Sequence, residues 1–254
     1  MIEVKNLFKS FEDNHVLKGI SATFNQGDTS LIIGSSGSGK TVFLKCLLGL
    51  FEPDQGDISY DGRSYIEMDI SKKRELRKEM GMVFQSGALF DSETIEDNIM
   101  FPLKMFTDQT KEEMLDRVSV VLKRVNLENV NKKYPAELSG GMQKRVAIAR
   151  AIVMNPKYLF CDEPNSGLDP RTAIIIDNLI KEITDEYQMI TVINTHDMNS
   201  VMEIGEKIIF LKDGLKVWEG SDQTIFKTEN QAVTDFVYSS NLFKKVREVY
   251  NKEN

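Results

Sequence analysis

Short apolar runs bounded by turn residues dominate the first third of the chain. The runs "VLKGISATF" and "TSLIIG" have the length and composition of strands, and Gly, Asn or Asp flanks them. Asp61-Gly62 separates two further strand-like stretches and predicts a hairpin. The stretch "KTVFLKCLLG" interrupts this pattern and predicts a helix over residues 40–50, ended by Gly49.

The middle third, from about residue 86 to about residue 156, has a helical period. Within "TKEEMLDRVSVVLKRVNL" the apolar side chains recur at intervals of three and four residues, which places them on one helix face. Thr110 is the predicted N-cap, because Glu113 follows three residues later, as a capping box requires. The apolar positions of this face are Met114, Leu115, Val118, Val121, Leu122 and Val125.

The last third returns to strands, now alternating with a helix. "YLFCDEP" and "ITVINTH" have the continuous apolar character of fully buried strands, and "RTAIIIDNLIKEI" between them predicts a helix. This order of strand, helix and strand indicates a parallel sheet and an α/β fold. Asp213-Gly214 predicts a second hairpin, and the charged run at 71–79 predicts a solvated helix face.

Composition narrows the class of protein. The 254 residues fit one large domain or a domain with a subdomain. A net charge of −7 argues against a general nucleic-acid-binding protein, so no nucleic-acid partner is expected. No apolar run approaches the roughly 18–20 residues of a spanning helix, and the charged N-terminal segment is unlike a signal peptide. Cys46 and Cys161 lie among apolar residues, which predicts buried thiols rather than a disulfide or metal site.

The stretch "GSSGSGKT" follows a predicted strand and opens a predicted helix, which is the context a phosphate-binding loop requires. Glycines let the backbone N–H groups face an anion, and the helix N-terminus adds partial positive charge. Lys40 is expected to reach the β- and γ-phosphates of a nucleotide, and the Thr41 hydroxyl to bind Mg²⁺. The predicted loop residues are Gly34, Ser35, Ser36, Gly37, Ser38, Gly39, Lys40 and Thr41.

Two adjacent acids end the predicted strand "YLFCDEP". Acids at the carboxyl end of a buried parallel strand lie where α/β sheets bind ligands. We expect Asp162 to hold Mg²⁺ through water and Glu163 to orient and deprotonate the attacking water.

A second helix N-terminus suited to an anion lies in "LSGGMQKRVAIARAI", where Ser139-Gly140-Gly141 precede a helix running to about Met154. With this motif the chain closely resembles the ATP-binding cassette (ABC) ATPases over residues 1–225. The matching motifs, all in family order, are Gly34–Thr41, Gln85, Leu138–Gly141, Asp162-Glu163, Ser166–Asp169 and His196.

The resemblance implies a fold and a division of the chain. The fold is a P-loop NTPase cassette with a mainly parallel sheet core, an N-terminal antiparallel β subdomain and an inserted α-helical subdomain. One ATPase domain covers residues 1–225, with the helical subdomain at about 86–156. Residues 226–254 form a helical tail, in which Leu242, Phe243, Val246, Val249 and Tyr250 have helical spacing. An ordinary packed helix and a helix that binds a partner or clasps the dimer both fit this tail.

The resemblance also implies a head-to-tail homodimer that sandwiches two ATP molecules. The phosphate-binding loop of one subunit would face Ser139, Gly140 and Gly141 of the other, and Asp169 would act across the interface. The cofactors would be ATP and Mg²⁺.

Further roles follow from the same resemblance. Gln85 would contact Mg²⁺ and the attacking water, and His196 would hydrogen-bond the γ-phosphate. Phe11 matches the aromatic residue that stacks on adenine, with Val16 beside the sugar, although Phe11 alone resembles a core strand residue. Asn165 departs from the family, which usually has Thr there; hydrolysis is expected to survive because both side chains are short and polar.

Three classes of ABC protein compete: a transporter subunit, a repair or translation ATPase, and a membrane-linked ATPase that transports nothing. The second class usually has two cassettes, a coiled coil or a zinc module, and this sequence shows one phosphate-binding loop and none of these. The segment "FQSGALFDSETIEDNIMFPL" resembles ATPases of Mla-type, Mce-linked phospholipid transporters. It implies a transmembrane permease, an Mce-domain lipid-binding component and a place at the cytoplasmic face of the inner membrane. The alternatives are the ATPase of a small-solute importer and a membrane-linked ABC ATPase that transports nothing.

The same segment carries apolar residues whose place is open. One interpretation puts Leu89 and Phe90, helped by Met100, Phe101 and Leu103, in a groove that receives a short permease helix. The other places these residues in the core of the helical subdomain.

Overall fold

The computed structural model describes residues 1–239, and its centre is a six-stranded sheet with the order β10-β9-β3-β8-β7-β6. All neighbouring pairs are parallel except β9–β10, which form the antiparallel hairpin predicted at Asp213-Gly214. The parallel sheet predicted from the strand–helix–strand order is therefore confirmed. The strands are β3 (Thr29–Ile33), β6 (Met80–Val83), β7 (Tyr158–Asp162), β8 (Ile190–Asn194), β9 (Lys207–Lys212) and β10 (Leu215–Gly220).

A second, antiparallel sheet has the order β2-β1-β4-β5 and packs over one side of the first. Its strands are β1 (Ile2–Phe11), β2 (Asn14–Phe24), β4 (Gln55–Tyr60) and β5 (Arg63–Ser64), and Tyr60 pairs with Arg63 around the predicted hairpin. The helix α1 (Lys40–Leu47) packs into the shared apolar cluster through Phe43 and Leu44, both fully buried. It ends as predicted, with Gly49 in the left-handed conformation at φ 65°.

The middle of the chain supplies a helical layer. It contains α2 (Ile70–Lys78), α3 (Ile95–Phe106), α4 (Lys111–Arg124), a short 3₁₀ turn (Pro135–Glu137) and α5 (Gly140–Ile152). Thr110 caps α4 in the predicted capping box with Glu113. The stretch before α3 forms turns rather than the predicted helix, because Thr94 caps α3 and fixes its start at Ile95.

The remaining helices are α6 (Pro170–Tyr187), α7 (Met198–Ile204), α8 (Asp222–Ile225) and α9 (Gln231–Val237). Cys46 and Cys161 are buried and free, and burial raises the pKa of the Cys46 thiol to about 12. Within residues 1–239, no helix is both long and apolar enough to cross a membrane. The helical spacing predicted from Leu242 to Tyr250 lies outside the described residues.

Candidate functional site

The loop between β3 and α1 curls so tightly that glycine is needed at its start. Gly34 has φ 149°, and a Cβ there would lie 2.2 Å from the carbonyl oxygen of Leu211. Gly39 has φ 102° as the N-cap of α1, a conformation that residues with a side chain rarely adopt. The Ser38 N–H donates to the Ser35 carbonyl at 3.2 Å, which closes the loop. A glycine-rich loop of this shape at the start of a helix can turn its other N–H groups toward an anion.

Lys40, the first residue of α1, reaches back over this loop. Its Nζ donates to the carbonyl oxygens of Gly34 at 2.8 Å and Ser35 at 3.0 Å. Burial lowers the pKa of the Lys40 ammonium, while the nearby carboxylates of Glu163 and Asp162 act in the opposite direction. A buried cation beside two acids and a ring of N–H groups suits a polyphosphate that carries its own metal ion.

The acid pair at the end of β7 joins two other chain segments. The Oδ1 atom of Asp162 accepts from the Thr41 hydroxyl at 3.3 Å and from Asn194 Nδ2 at 3.0 Å. A hydroxyl and a carboxylate held together in this way are the oxygen ligands that Mg²⁺ prefers. Asn194 Oδ1 is buried beside them and finds no partner in the described structure, so a further polar group fits there.

Glu163 links Gln85 to His196. One of its carboxylate oxygens accepts from Gln85 Nε2 at 2.9 Å, and the other lies 2.9 Å from His196 Nδ1. The three predicted catalytic side chains come from the segments after β6, β7 and β8, whose carboxyl ends share one edge of the sheet. The arrangement can hold a water molecule between a carboxylate, an amide and an imidazole.

These groups surround a cleft of about 800 Å³. Val16 lines it, and its place beside the sugar stays a prediction. Phe11 does not belong to the lining found in residues 1–239; its ring packs edge-on against Phe51 at 5.1 Å, so its contact with adenine stays a prediction. The lining residues are Val16, Ser35, Ser36, Gly37, Gly39, Lys40, Thr41, Val42, Gln85, Glu163, His196, Phe236 and Ser239.

Phe236 and Ser239 were missed from the sequence. Phe236 lies on α9, and its ring packs against Phe210 of β9 at 5.2 Å, which brings the end of this helix to the cleft. The only signal was the apolar spacing of Val233, Phe236 and Val237, which fits a packed terminal helix and does not indicate what it packs against.

The second predicted anion cradle lies elsewhere on the subunit. Ser139 caps α5 by accepting from the Met142 N–H at 3.4 Å, and Asp169 caps α6 by accepting from two N–H groups at 3.1 Å. Gly141 packs so closely on Thr172 that a Cβ would lie 2.6 Å from its methyl group. Within the described chain, neither Ser139 nor Asp169 is part of the lining of the cleft.

The helix α5 also holds the segment that follows Gln85. Lys144 donates to the Gln85 carbonyl, and Arg150 donates to the carbonyls of Gly87 at 2.7 Å and Ala88 at 2.8 Å. The Arg150 guanidinium lies 5.9 Å from the centre of the Phe90 ring. The backbone of this segment is thus fixed to α5, the helix that Ser139 caps.

An apolar groove of about 390 Å³ lies between α2, α3 and α5. Phe90 and Phe101 line it, are 41% and 42% exposed, and contact each other at 4.9 Å. The placement of Leu89, Met100 and Leu103 in this groove was wrong. Met100 and Leu103 are 2% exposed on the inner face of α3, and Leu89 packs against the same core.

Comparison with known proteins identifies this arrangement. The sequence profile described as ABC transporter matches residues 17–166. The chain belongs to the ABC transporter family. Its fold is accordingly that of an ABC cassette, as predicted, and the protein is an ATPase subunit of an ABC transporter that uses ATP with Mg²⁺.

Individual relatives agree with this placement. The cassette is 43% identical to the methionine import ATP-binding protein MetN of Clostridium tetani, over 85% of this chain and 68% of that protein. It is 37% identical to the probable ribonucleotide transport ATP-binding protein mkl of Mycobacterium leprae, over 93% of this chain and 68% of that protein. It also resembles the dimeric post-hydrolysis structure of the cassette MJ0796 bound to ADP and phosphate. That similarity has a TM-score of 0.80 at 33% identity and covers 87% of this chain and 99% of the other.

Proposed function

We propose that the cassette powers an importer of a small polar solute. In this proposal the cassette lies at the cytoplasmic face of the inner membrane. The observation that carries the ATPase part is the meeting of Gln85, Glu163 and His196 beside Lys40 in one cleft. The importer part is supported by the relatives, since the names of MetN and mkl describe transport of methionine and of ribonucleotides.

In this proposal Glu163 is the general base. Its carboxylate accepts the proton of the attacking water, which Gln85 orients from the other side. His196 donates to the γ-phosphate, and Lys40 shifts from the loop carbonyls toward the phosphates. Thr41, Asp162 and Gln85 are the residues that would hold Mg²⁺, which neutralises charge on the phosphate oxygens when bound.

The cleft would be completed by a second copy of the chain. In the part of the chain that the structure describes, Ser139, Gly140 and Gly141 at the start of α5 are not part of the lining of the phosphate-binding cleft. A second copy of the chain would present them to the nucleotide. A head-to-tail dimer solves this, with each Ser139 cap at the partner's ATP and Asp169 at the interface. The dimeric structure of MJ0796 supports this assembly.

The groove beside α5 is the proposed contact with the permease. Phe90 and Phe101 expose apolar rings, and Arg77 and Lys78 at the end of α2 give the groove a basic edge. An amphipathic helix with an acidic residue fits a surface of this kind. The Gln85 segment runs from the cleft to this groove, so both sites share one stretch of backbone.

A phospholipid substrate is the second candidate. It is favoured by the Gly-Ala-Leu-Phe-Asp-Ser run at 87–92, which resembles Mla-type ATPases, and it would add an Mce-domain component to the assembly. The run forms the turn held by Arg150 and ends beside Phe90 of the groove, so it would act through the permease.

The two substrates can be separated by reconstitution. The cassette is co-expressed with its permease, and the complex is placed in lipid vesicles. We expect amino acids or ribonucleotides to stimulate ATP hydrolysis. ATP-dependent transfer of fluorescent phospholipid, without stimulation by any small solute, would instead establish the second candidate.

A further inference from the structure

Three buried polar side chains form a closed set behind the catalytic cleft. Asn165 Nδ2 donates to Asp177 Oδ2 at 3.0 Å and lies 2.9 Å from Ser200 Oγ. The Ser200 hydroxyl donates to the same carboxylate oxygen at 2.7 Å. Asn165, Asp177 and Ser200 are 7%, 2% and 1% exposed, so water competes little for the groups that form these hydrogen bonds.

The position of this set is what makes it informative. Asn165 lies in the turn that leaves β7, two residues after Glu163. Ser200 lies on α7, which begins directly after His196 and its neighbour Asp197. Asp177 lies on α6 and bonds to both, so a single carboxylate ties together the two segments that carry Glu163 and His196.

The turn at Glu163 needs such an anchor. Glu163 has φ 47°, a left-handed conformation that is strained for a residue other than glycine. The Glu163 N–H donates to the Asn194 carbonyl at 2.9 Å, and the Glu163 carbonyl accepts from the Ser166 N–H at 3.1 Å. These two backbone bonds hold the turn at Glu163, and the buried Asn165 side chain adds bonds to α6 and α7.

We propose that the Asn165–Asp177–Ser200 network is a positioning element that keeps Glu163 and His196 in register for hydrolysis. It rests on the proposed roles of those two residues. It also gives the departure at Asn165 a reason, since the amide of Asn165 supplies the donor that spans Asp177 and Ser200 together. Loss of the network should lower the rate of hydrolysis and leave the phosphate-binding loop intact.

The energetic cost of the network supports a functional origin. Burial raises the pKa of the Asp177 carboxyl to about 6, which means that its charged form is held at the expense of stability. Groups that are retained against stability are typical of sites where geometry matters for activity.

The test uses Asn165→Ala, Ser200→Ala and their double variant in the full chain, with kcat, KM, ATP affinity and melting temperature measured for each. We expect kcat to fall about tenfold or more in each single variant. KM and ATP affinity should stay within about twofold, because the phosphate-binding loop is untouched. The fold-loss of kcat in the double variant should be smaller than the product of the two single losses, because both substitutions remove the same coupling.

Thr191→Val is the matched control. Thr191 is fully buried on β8, and its hydroxyl lies 2.6 Å from that of Thr184 on α6. The substitution therefore removes a buried polar contact between two neighbouring elements, away from the cleft. It should lower the melting temperature about as much as Ser200→Ala and leave kcat unchanged.

Several outcomes would overturn the inference. These are an unchanged kcat in Ser200→Ala, an equal loss of kcat in Thr191→Val, or a loss of ATP affinity that parallels kcat. If Asn165→Ala does not fold, Ser200→Ala decides alone. Glu163→Gln is measured alongside: if it keeps normal turnover, the proposed catalytic site fails and the network role with it, whereas a dead Glu163→Gln beside a normal Ser200→Ala refutes the network alone.

Discussion

The side chains of Gln85 and Glu163 are joined by a hydrogen bond of 2.9 Å, although 78 positions separate them in the chain. Gln85 follows β6 and Glu163 follows β7, and these strands are parallel neighbours in the sheet. The same carboxylate also meets His196, so one acid is held by two partners from two other segments.

Removal of the Glu163 carboxylate tests its role as the base. Glu163→Gln keeps the size of the side chain but cannot accept the water proton. We expect turnover to fall about 10²–10⁴-fold, with ATP binding retained. A steady-state ATPase assay and a nucleotide-binding titration measure the two quantities. Glu182→Gln, on the exposed face of α6, is the control and should hydrolyse normally; near-normal turnover in Glu163→Gln would exclude this base.

A bulky cation at the cap of α5 tests the proposed dimer. ATP binds both subunits only in the sandwich, so in the Glu163→Gln background it should shift the protein to a dimer, as seen by light scattering. Adding Ser139→Arg should abolish that shift and leave nucleotide binding intact. Ser119→Arg, on the exposed side of α4, should dimerise normally. ATP-dependent dimerisation of the Ser139→Arg protein would refute the assignment of this motif.

Adjacent residues of the groove segment should behave in opposite ways. Phe90→Asp places a charge on an exposed surface, so the melting temperature and ATP binding should stay nearly unchanged while co-purification with the permease is lost. Leu89→Asp places an unpaired charge against the core and should destabilise the fold by several kcal/mol. Val120→Asp, exposed on α4, is the control for an added surface acid. A stable Phe90→Asp protein that still binds the permease would show that the groove serves another purpose.

The buried carboxylate of Asp177 should make stability depend on pH. Its pKa in the folded protein is about 6, above the ordinary value of 3.8, so the folded state holds a proton that the unfolded state releases between these values. Stability is therefore greatest at low pH for this group and falls as the pH rises toward about 6. The carboxylates of Asp197 and Glu203 face the same group and add to the shift; Cys161, also close by, is held neutral because burial raises its own pKa.

Asp177→Asn removes that dependence. Relative to the wild type, its unfolding free energy should gain about 1–2 kcal/mol between about pH 5 and about pH 8. Urea unfolding at the two pH values measures the difference. An unchanged gap between the two proteins would mean that Asp177 is ionised with an ordinary pKa in the folded state.

Local patterns predicted most of the secondary structure and of the site, for definite physical reasons. The phosphate-binding loop, the acid pair and the caps at Thr110 and Gly49 each depend on residues within one turn of the backbone. The phosphate-binding loop and Glu163 of the acid pair meet in one cleft because the parallel sheet brings strand ends to one edge.

The failures have physical reasons as well. Leu89 and Phe90 are adjacent, yet Leu89 packs against the core and Phe90 lines the groove. The backbone just before them is held by Arg150, a residue distant in sequence. Phe236 reaches the cleft only because α9 packs on Phe210. Asn165 was recognised as unusual, but its partners on α6 and α7 could not be identified without the packing of those helices.

The 13 residues of α5 give it a length of about 20 Å at 1.5 Å per residue. Ser139 caps one end of the helix. Lys144 in its middle donates a hydrogen bond to the Gln85 carbonyl, and Arg150 near its other end donates to the carbonyls of Gly87 and Ala88. A rotation of about 5° about one end moves the other by roughly 2 Å, which is enough to break a hydrogen bond or close a groove. Because α5 carries all three contacts, a displacement of this size at the Ser139 cap would be felt at the Gln85 segment and at the groove.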